Sequence, residues 1–174
     1  MIRREEPTQP GAPMARFDGS TFQVIDPDRM AGWREHLLEH LLRLDPDARR
    51  LRFMGSVGDA GIRAHVARAR PLVLVVHAPA GIWRGCAELH PGEDPDRAEI
   101  AVSVEPGWQN RGIGAALTAE AGRQARRLGR PDVRMVCERR NTPMMRIART
   151  LSARALPLAD WALALFRLDI PDPT

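Results

Sequence analysis

The sequence predicts a single α/β domain built on a mixed, mostly antiparallel sheet of about six or seven strands. Three observations lead there. A length of 174 residues suits one core, since single cores usually run ~100–200 residues. Short apolar or alternating runs are interspersed with segments of helical period. The middle strands are joined by short connections and the late ones by helices, so antiparallel hairpins come first and a β-α-β unit last.

Thr21–Ile25 alternates briefly and reads as a first strand, followed by the turn Asp26-Pro27-Asp28. Met30, Trp33, Leu37, Leu41 and Leu44 recur at helical spacing, predicting a helix over 29–44 with Asp28 as N-cap. Asp45 then caps a short helix with Pro46 at its first position, and a third helix covers about 59–69. Leu72–His77 is a continuous β-branched run, the mark of a strand buried on both faces. The turn 78–81 leads into a partner strand over 82–90, and a further strand covers 98–104. A helix over 113–128 follows, with Ile113, Leu117, Ala121 and Leu128 as its apolar stripe and Gly129 and Pro131 closing it. Then come a strand at 133–137, a helix opened by Thr142 as N-cap and Pro143 at N1, and a last strand over 161–168.

Composition narrows the function classes. The chain is 44% hydrophobic and 28% charged, as in a soluble globular protein, and no apolar run approaches the ~20 residues that span a bilayer. Residues 1–16 lack the apolar core of a signal peptide and read as a disordered lead-in. Cys86 and Cys137 have neither CxxC spacing nor a disulfide framework, which fits a cytoplasmic protein with reduced thiols. All 26 basic residues are Arg; Lys and Tyr are absent, so no lysine can serve as acid, base or Schiff-base partner. A net charge of +4 without a basic tract interleaved with aromatics does not suggest nucleic-acid binding. His36 and His40 stand at metal-ligand spacing on the first helix, but no third ligand supports them, so a solvated pair is expected.

The most informative stretch is the turn from the strand at 98–104 into the next helix, Val104-Glu105-Pro106-Gly107-Trp108-Gln109-Asn110-Arg111-Gly112-Ile113-Gly114-Ala115. The first turn of a helix has N–H groups without intrahelical partners, and the dipole adds about half a positive charge there. Glycines lack the Cβ that would keep phosphate oxygens off the backbone, so this turn suits a pyrophosphate. It is not a P-loop, which requires Gly-Lys-Ser/Thr. Nor is it a dinucleotide fingerprint, because Leu117 stands where the third glycine would fall.

Gln109-Asn110-Arg111-Gly112-Ile113-Gly114 matches the Q/R-x-x-G-x-G/A signature of the GNAT superfamily of acyl-CoA N-acyltransferases, and the chain resembles that superfamily. Asn141-x-x-Met144-x-x-Ile147-Ala148-x-x-Leu151 is similar to its second CoA-contacting segment. Residues 44–59, LDPDARRLRFMGSVGD, resemble the N-terminal region of a bacterial subgroup that includes the acetyltransferase domain of protein-lysine acetyltransferases. The resemblance covers roughly residues 17–170. It implies helices on both faces of the sheet, and strands 98–104 and 133–137 splayed apart with pantetheine in the gap.

By the same resemblance, the backbones of Val102 and Val104 pair with pantetheine. Gln109 belongs to the cofactor-binding turn, and the backbone amides of Asn110, Arg111, Gly112, Ile113, Gly114 and Ala115 hold the pyrophosphate; Asn141 bonds the arm, and Met144 and Ala148 pack against it. Arg123, Arg126 and Arg127 are candidate partners for an adenosine 3′-phosphate. The implied activity is direct acetyl transfer from acetyl-CoA to an amine, on a protein lysine or α-amine or a small molecule. The acceptor would be read by the first helices and the loops around the final strands. A lysine-like amine, with a pKa near ~10.4, must shed a proton first; Glu99 is the first candidate base and Glu88 the second. The superfamily often uses a Tyr, at the position of Ala148, to protonate the departing thiolate. This chain has none, which leaves water, Cys137 or unaided departure, and motivates the alternative of a non-catalytic acyl-CoA-binding or sensor domain.

Overall fold

Leu72–His77 forms a strand in which successive side chains go to opposite faces, and both faces are buried, as its unbroken apolar composition requires. Val73 and Val75 join one core, while Leu74 and Val76 join another. The computed structural model describes residues 16–17, 20–26, 28–78 and 81–169. The lead-in at 1–15 lies outside these, as do Pro27 and two residues of the turn at 78–81.

In chain order the elements are β1 (Arg16–Phe17), β2 (Ser20–Ile25), α1 (Trp33–Arg43), α2 (Pro46–Phe53), α3 (Asp59–Arg68), β3 (Leu72–His77), β4 (Trp83–Pro91) and β5 (Arg97–Val104). They continue with α4 (Ile113–Arg127), β6 (Asp132–Glu138), α5 (Thr142–Thr150), β7 (Arg154–Leu156) and β8 (Leu163–Leu168). The strands form one sheet in the order β1-β2-β3-β4-β5-β6-β8-β7. Every pairing is antiparallel except β5–β6. One core packs α4 and α5 against the sheet; the other packs α1 and α3 against the opposite face. No helix among the described residues is long and apolar enough to cross a membrane.

Local chemistry moved several boundaries. Asp26, not Asp28, organises the start of the first helical region: its side chain accepts the Asp28 N–H, and its carbonyl accepts from Arg29 and Met30. The helix itself begins only after Gly32, whose φ of 77° is left-handed. At α2 the expectation holds, with the Asp45 side chain accepting the Ala48 N–H at 2.7 Å. At α5 the cap is Asn141 rather than Thr142: its Oδ1 accepts the Met144 N–H, and Thr142 is already helical. Leu128, expected on the buried stripe of α4, lies past the helix end and is 59% exposed. The three-residue β7 was not foreseen, and Trp161 precedes the last strand rather than opening it.

Candidate functional site

β5 and β6 run side by side for only three residue pairs, from Arg97↔Asp132 to Glu99↔Arg134. Beyond Glu99 they part, and a cleft of about 420 Å³ opens between the end of β5 and the starts of α4 and α5, with α2 across from them. The orientation of the open β5 edge follows from its ladder. The Glu105 N–H donates to Arg84 on the β4 side at 2.9 Å. Peptide groups alternate sides along a strand, so those of Val102 and Val104 turn toward the gap. The Val104 carbonyl accordingly accepts from Gln109 Nε2 at 3.0 Å rather than from β4.

The turn into α4 leaves its first N–H groups bare. Asn110 (φ 60°) and Gly112 (φ 78°) are both left-handed, and Gly112 is an N-cap with no side-chain hydrogen bond. The first intrahelical bond from this cap is Ala116 N–H to the Gly112 carbonyl, so the N–H groups of Ile113, Gly114 and Ala115 precede the helical ladder. Gly114 has a packing reason: a Cβ there would come within 2.9 Å of Ile147 Cδ1 on α5. α4 and α5 thus meet closely at the cleft floor, where Asn141 and Met144 also face it. With its carboxamide oxygen committed to the cap, Asn141 still has an amino group to offer. An uncapped helix start at the end of an unpaired strand edge fits a ligand that carries a diphosphate and an amide-bearing arm.

Two buried polar networks lie behind β5. In the first, His40 is fully buried, not solvated: Nε2 is 2.9 Å from Ser103 Oγ, and Nδ1 is 3.3 Å from the Trp83 carbonyl oxygen and 3.6 Å from Glu105 Oε1. His36 instead stacks on the Trp83 ring, so the two histidines serve separate contacts. Glu105 also accepts from Arg43 at 2.8 Å and Arg84 at 2.7 Å. Burial alone would raise its carboxyl pKa; His40, Arg43 and Arg84 outweigh that and bring it down to about 2. In the second network, Glu88 is bound by Arg52 through one oxygen, while the other lies 2.8 Å from His65 Nε2 and 3.4 Å from His90 Nε2. Burial acts to raise this carboxyl too, but Arg52 and the two imidazoles hold it well below the usual carboxylate range. A carboxylate matched in this way is a poor acceptor for a substrate proton, which argues against Glu88 as base. The three ligand-type atoms of His65, Glu88 and His90 lie within 4.8 Å of one another, with the carboxylate charge already balanced by Arg52.

Ten of the residues expected at the cofactor line the cleft: Val102, Val104, Gln109, Asn110, Gly112, Ile113, Gly114, Ala115, Asn141 and Met144. The side chain of Arg111 folds back instead, donating to the Gly107 carbonyl and lying 5.0 Å from the Trp108 ring centre. Ala148 is buried within the core beneath α5. Glu99 is exposed, opposite His90 in the β4–β5 register and outside the cleft lining. Cys137 is buried, and burial raises its thiol pKa. Arg123 and Arg127 bond Glu120 on their own helix, away from the cleft. Sequence reasoning missed Ser103, Trp108 and Arg146, as well as the α2 residues Asp47 and Arg52, all of which face the cleft. Only Ser103 had left a signal, as the lone hydroxyl in the apolar run of β5.

Comparison with known proteins bears on the family and the fold. The model of the acetyltransferase (GNAT) family matches residues 63–151, just over half of the chain. Among solved structures, the GNAT domain of S. lividans PAT is similar at a TM-score of 0.75 and 16% identity, covering 95% of this chain and 100% of that one. The yncA protein of Salmonella typhimurium, solved with its cofactor acetyl-CoA, is similar at 0.60 and 19% identity, over 90% and 96%. The ribosomal-protein-S18-alanine N-acetyltransferase of Escherichia coli is similar at 0.62 and 13% identity, over 89% and 96%. At such identities these structures share a fold. No curated protein matches the chain.

Proposed function

Because the chain belongs to the GNAT family of acetyltransferases, we propose that it moves the acetyl group of acetyl-CoA directly onto an amine, of a protein or of a small molecule. The observation that carries this reading is the uncapped start of α4, bare at Ile113, Gly114 and Ala115, at the end of the open β5 edge. The acyltransferase unit spans residues 17–170.

Bound acetyl-CoA supplies an activated acyl group whose thiol leaves readily. The protein's part is to hold and to move protons. Peptide groups of Val102 and Val104 bind the pantetheine arm as a neighbouring strand would, and the N–H groups from Asn110 to Ala115 take the diphosphate. Gln109 keeps the turn closed from the Val104 carbonyl, which fixes the direction in which those donors point. Asn141 caps α5 and offers its amino group to the arm, and Met144 packs beside it. Glu99, on the strand leading into the cleft and open to solvent, accepts the first proton of an incoming ammonium through water.

Thiol release from acetyl-CoA, measured against a panel of amines, tests the proposal. Turnover on an amine that Glu99→Gln abolishes, with acetyl-CoA still bound, supports both the activity and the base. Tight binding of acetyl-CoA with no turnover on any amine refutes amine acetylation and favours the sensor alternative.

A further inference from the structure

The chain has no Tyr, and Cys137 is buried away from the cleft, so neither returns a proton to the departing thiolate. Ser103 sits on β5 between the two residues whose peptide groups face the gap, and it lines the cleft. Its Oγ is 2.9 Å from His40 Nε2. The hydrogen positions on this pair follow from its surroundings. His40 Nδ1 faces two oxygen acceptors, the Trp83 carbonyl at 3.3 Å and Glu105 Oε1 at 3.6 Å. A neutral ring facing two acceptors carries its proton on Nδ1, which leaves Nε2 as an acceptor. The Ser103 hydroxyl therefore donates to His40.

From this chain of contacts we propose that Ser103, backed by His40 and Glu105, is the proton relay of the acetyl transfer. The inference rests on the amine-acetylating reading above. It concerns the second proton, which the amine nitrogen sheds as its bond to the acetyl carbon forms. Ser103 Oγ takes that proton while its own passes to His40 Nε2. The resulting imidazolium is held between the Trp83 carbonyl and the Glu105 carboxylate. When the carbon–sulfur bond breaks, the proton returns along the same path to the sulfur. The amine has lost one proton, CoA leaves as the thiol, and Ser103 and His40 end as they began. Glu105 contributes as a fixed anion because Arg43 and Arg84 keep it ionised. Ser103 meets the reacting atoms, while His40 and Glu105 act through it and are positioning residues.

The test uses the full chain, acetyl-CoA and the best amine of the panel. Ser103→Ala is expected to lower kcat by about 100-fold, the usual worth of general acid–base assistance, with KM and Kd for acetyl-CoA unchanged. Ser103→Thr, which keeps the hydroxyl, is expected to restore most of the rate. His40→Gln should cost about as much as Ser103→Ala, and the double variant no more than either, because members of one unit are not additive. Circular dichroism and acetyl-CoA binding report whether the buried His40 variant folds; if it does not, the Ala and Thr variants decide alone. A Ser103→Ala enzyme that turns over like the parent overturns the relay while leaving amine acetylation standing. A Ser103→Thr enzyme as slow as Ser103→Ala also overturns it, marking the contact as packing. If the parent itself binds acetyl-CoA but acetylates no amine, the activity reading fails, and the relay with it.

Discussion

Replacing Glu88 with Gln would leave Arg52 beneath the sheet without its counter-charge. The two side chains are 1% and 8% exposed, so solvent cannot substitute for the lost partner. Removing one member of a buried ion pair costs about 3–5 kcal/mol. For a chain of this length each kcal/mol lowers Tm by roughly 2–4 °C, so a fall of roughly 6–20 °C is expected. The Arg52 Nε is already buried without a hydrogen-bond partner, which makes the guanidinium more dependent on Glu88. If that dependence is the cause, removing Arg52 as well should help. The double variant Arg52→Met, Glu88→Gln should return to within about 1 kcal/mol of the parent, since replacing both partners of a buried pair is often neutral. Urea titration and thermal melts of the three variants, followed by circular dichroism, measure each step. A single variant that loses under about 1 kcal/mol, or a double variant as unstable as the single, would refute the assignment of Glu88 as the charge partner of Arg52.

Acid should unfold the protein partly through Glu105. Its folded pKa of about 2 lies below the ordinary 4.5, so its stabilisation is complete above about pH 4.5 and drains away as pH falls toward 2; melts of Glu105→Gln should show a flatter pH dependence over that window. Gly112→Val forces a β-branched residue to φ 78°, which should cost about 1–2 kcal/mol in Tm-derived stability. Calorimetry of the same variant should show acetyl-CoA bound at least about tenfold more weakly, because the N–H groups that follow lose their aim. Asn141→Ala should lose about 1 kcal/mol of helix capping, and Asn141→Ser should recover it. If Asn141 also touches the pantetheine arm, the Ser variant will regain stability without regaining acetyl-CoA affinity.

The elements that a reader of the sequence places correctly are those whose chemistry is local. The unbroken Leu72–His77 run, the Asp45-Pro46 helix start and the glycine turn before α4 each carry their own signal. Errors arise where two neighbouring residues compete for one role. Asn141 and Thr142 are both good caps, and Asp26 and Asp28 both flank the same turn, so only the folded backbone decides between them. The burial of His40 was legible and overlooked: it sits three residues after Leu37 and four before Leu44, on the apolar stripe of α1. Its partner Ser103 lies 63 residues away, and no spacing rule reaches that far. The same holds for Glu88, whose ligands come from α2, α3 and its own strand. The glycine-turn side of the cleft was readable because it lies within one strand–turn–helix segment and one helix start. The α2 wall was not, because it is assembled from distant segments.

The three-pair contact between β5 and β6 has a mechanical meaning. On one side of it five strands are knitted continuously; on the other, β6, β8 and β7 form a smaller panel. A flexible amide-bearing chain slipped into this seam can be stitched to the open β5 edge like a short extra thread. It can also be drawn out again without undoing a single rung of the sheet. The molecule thus carries a gap in its own weave, held open in advance, so that grip and release of a guest need no tearing of the host.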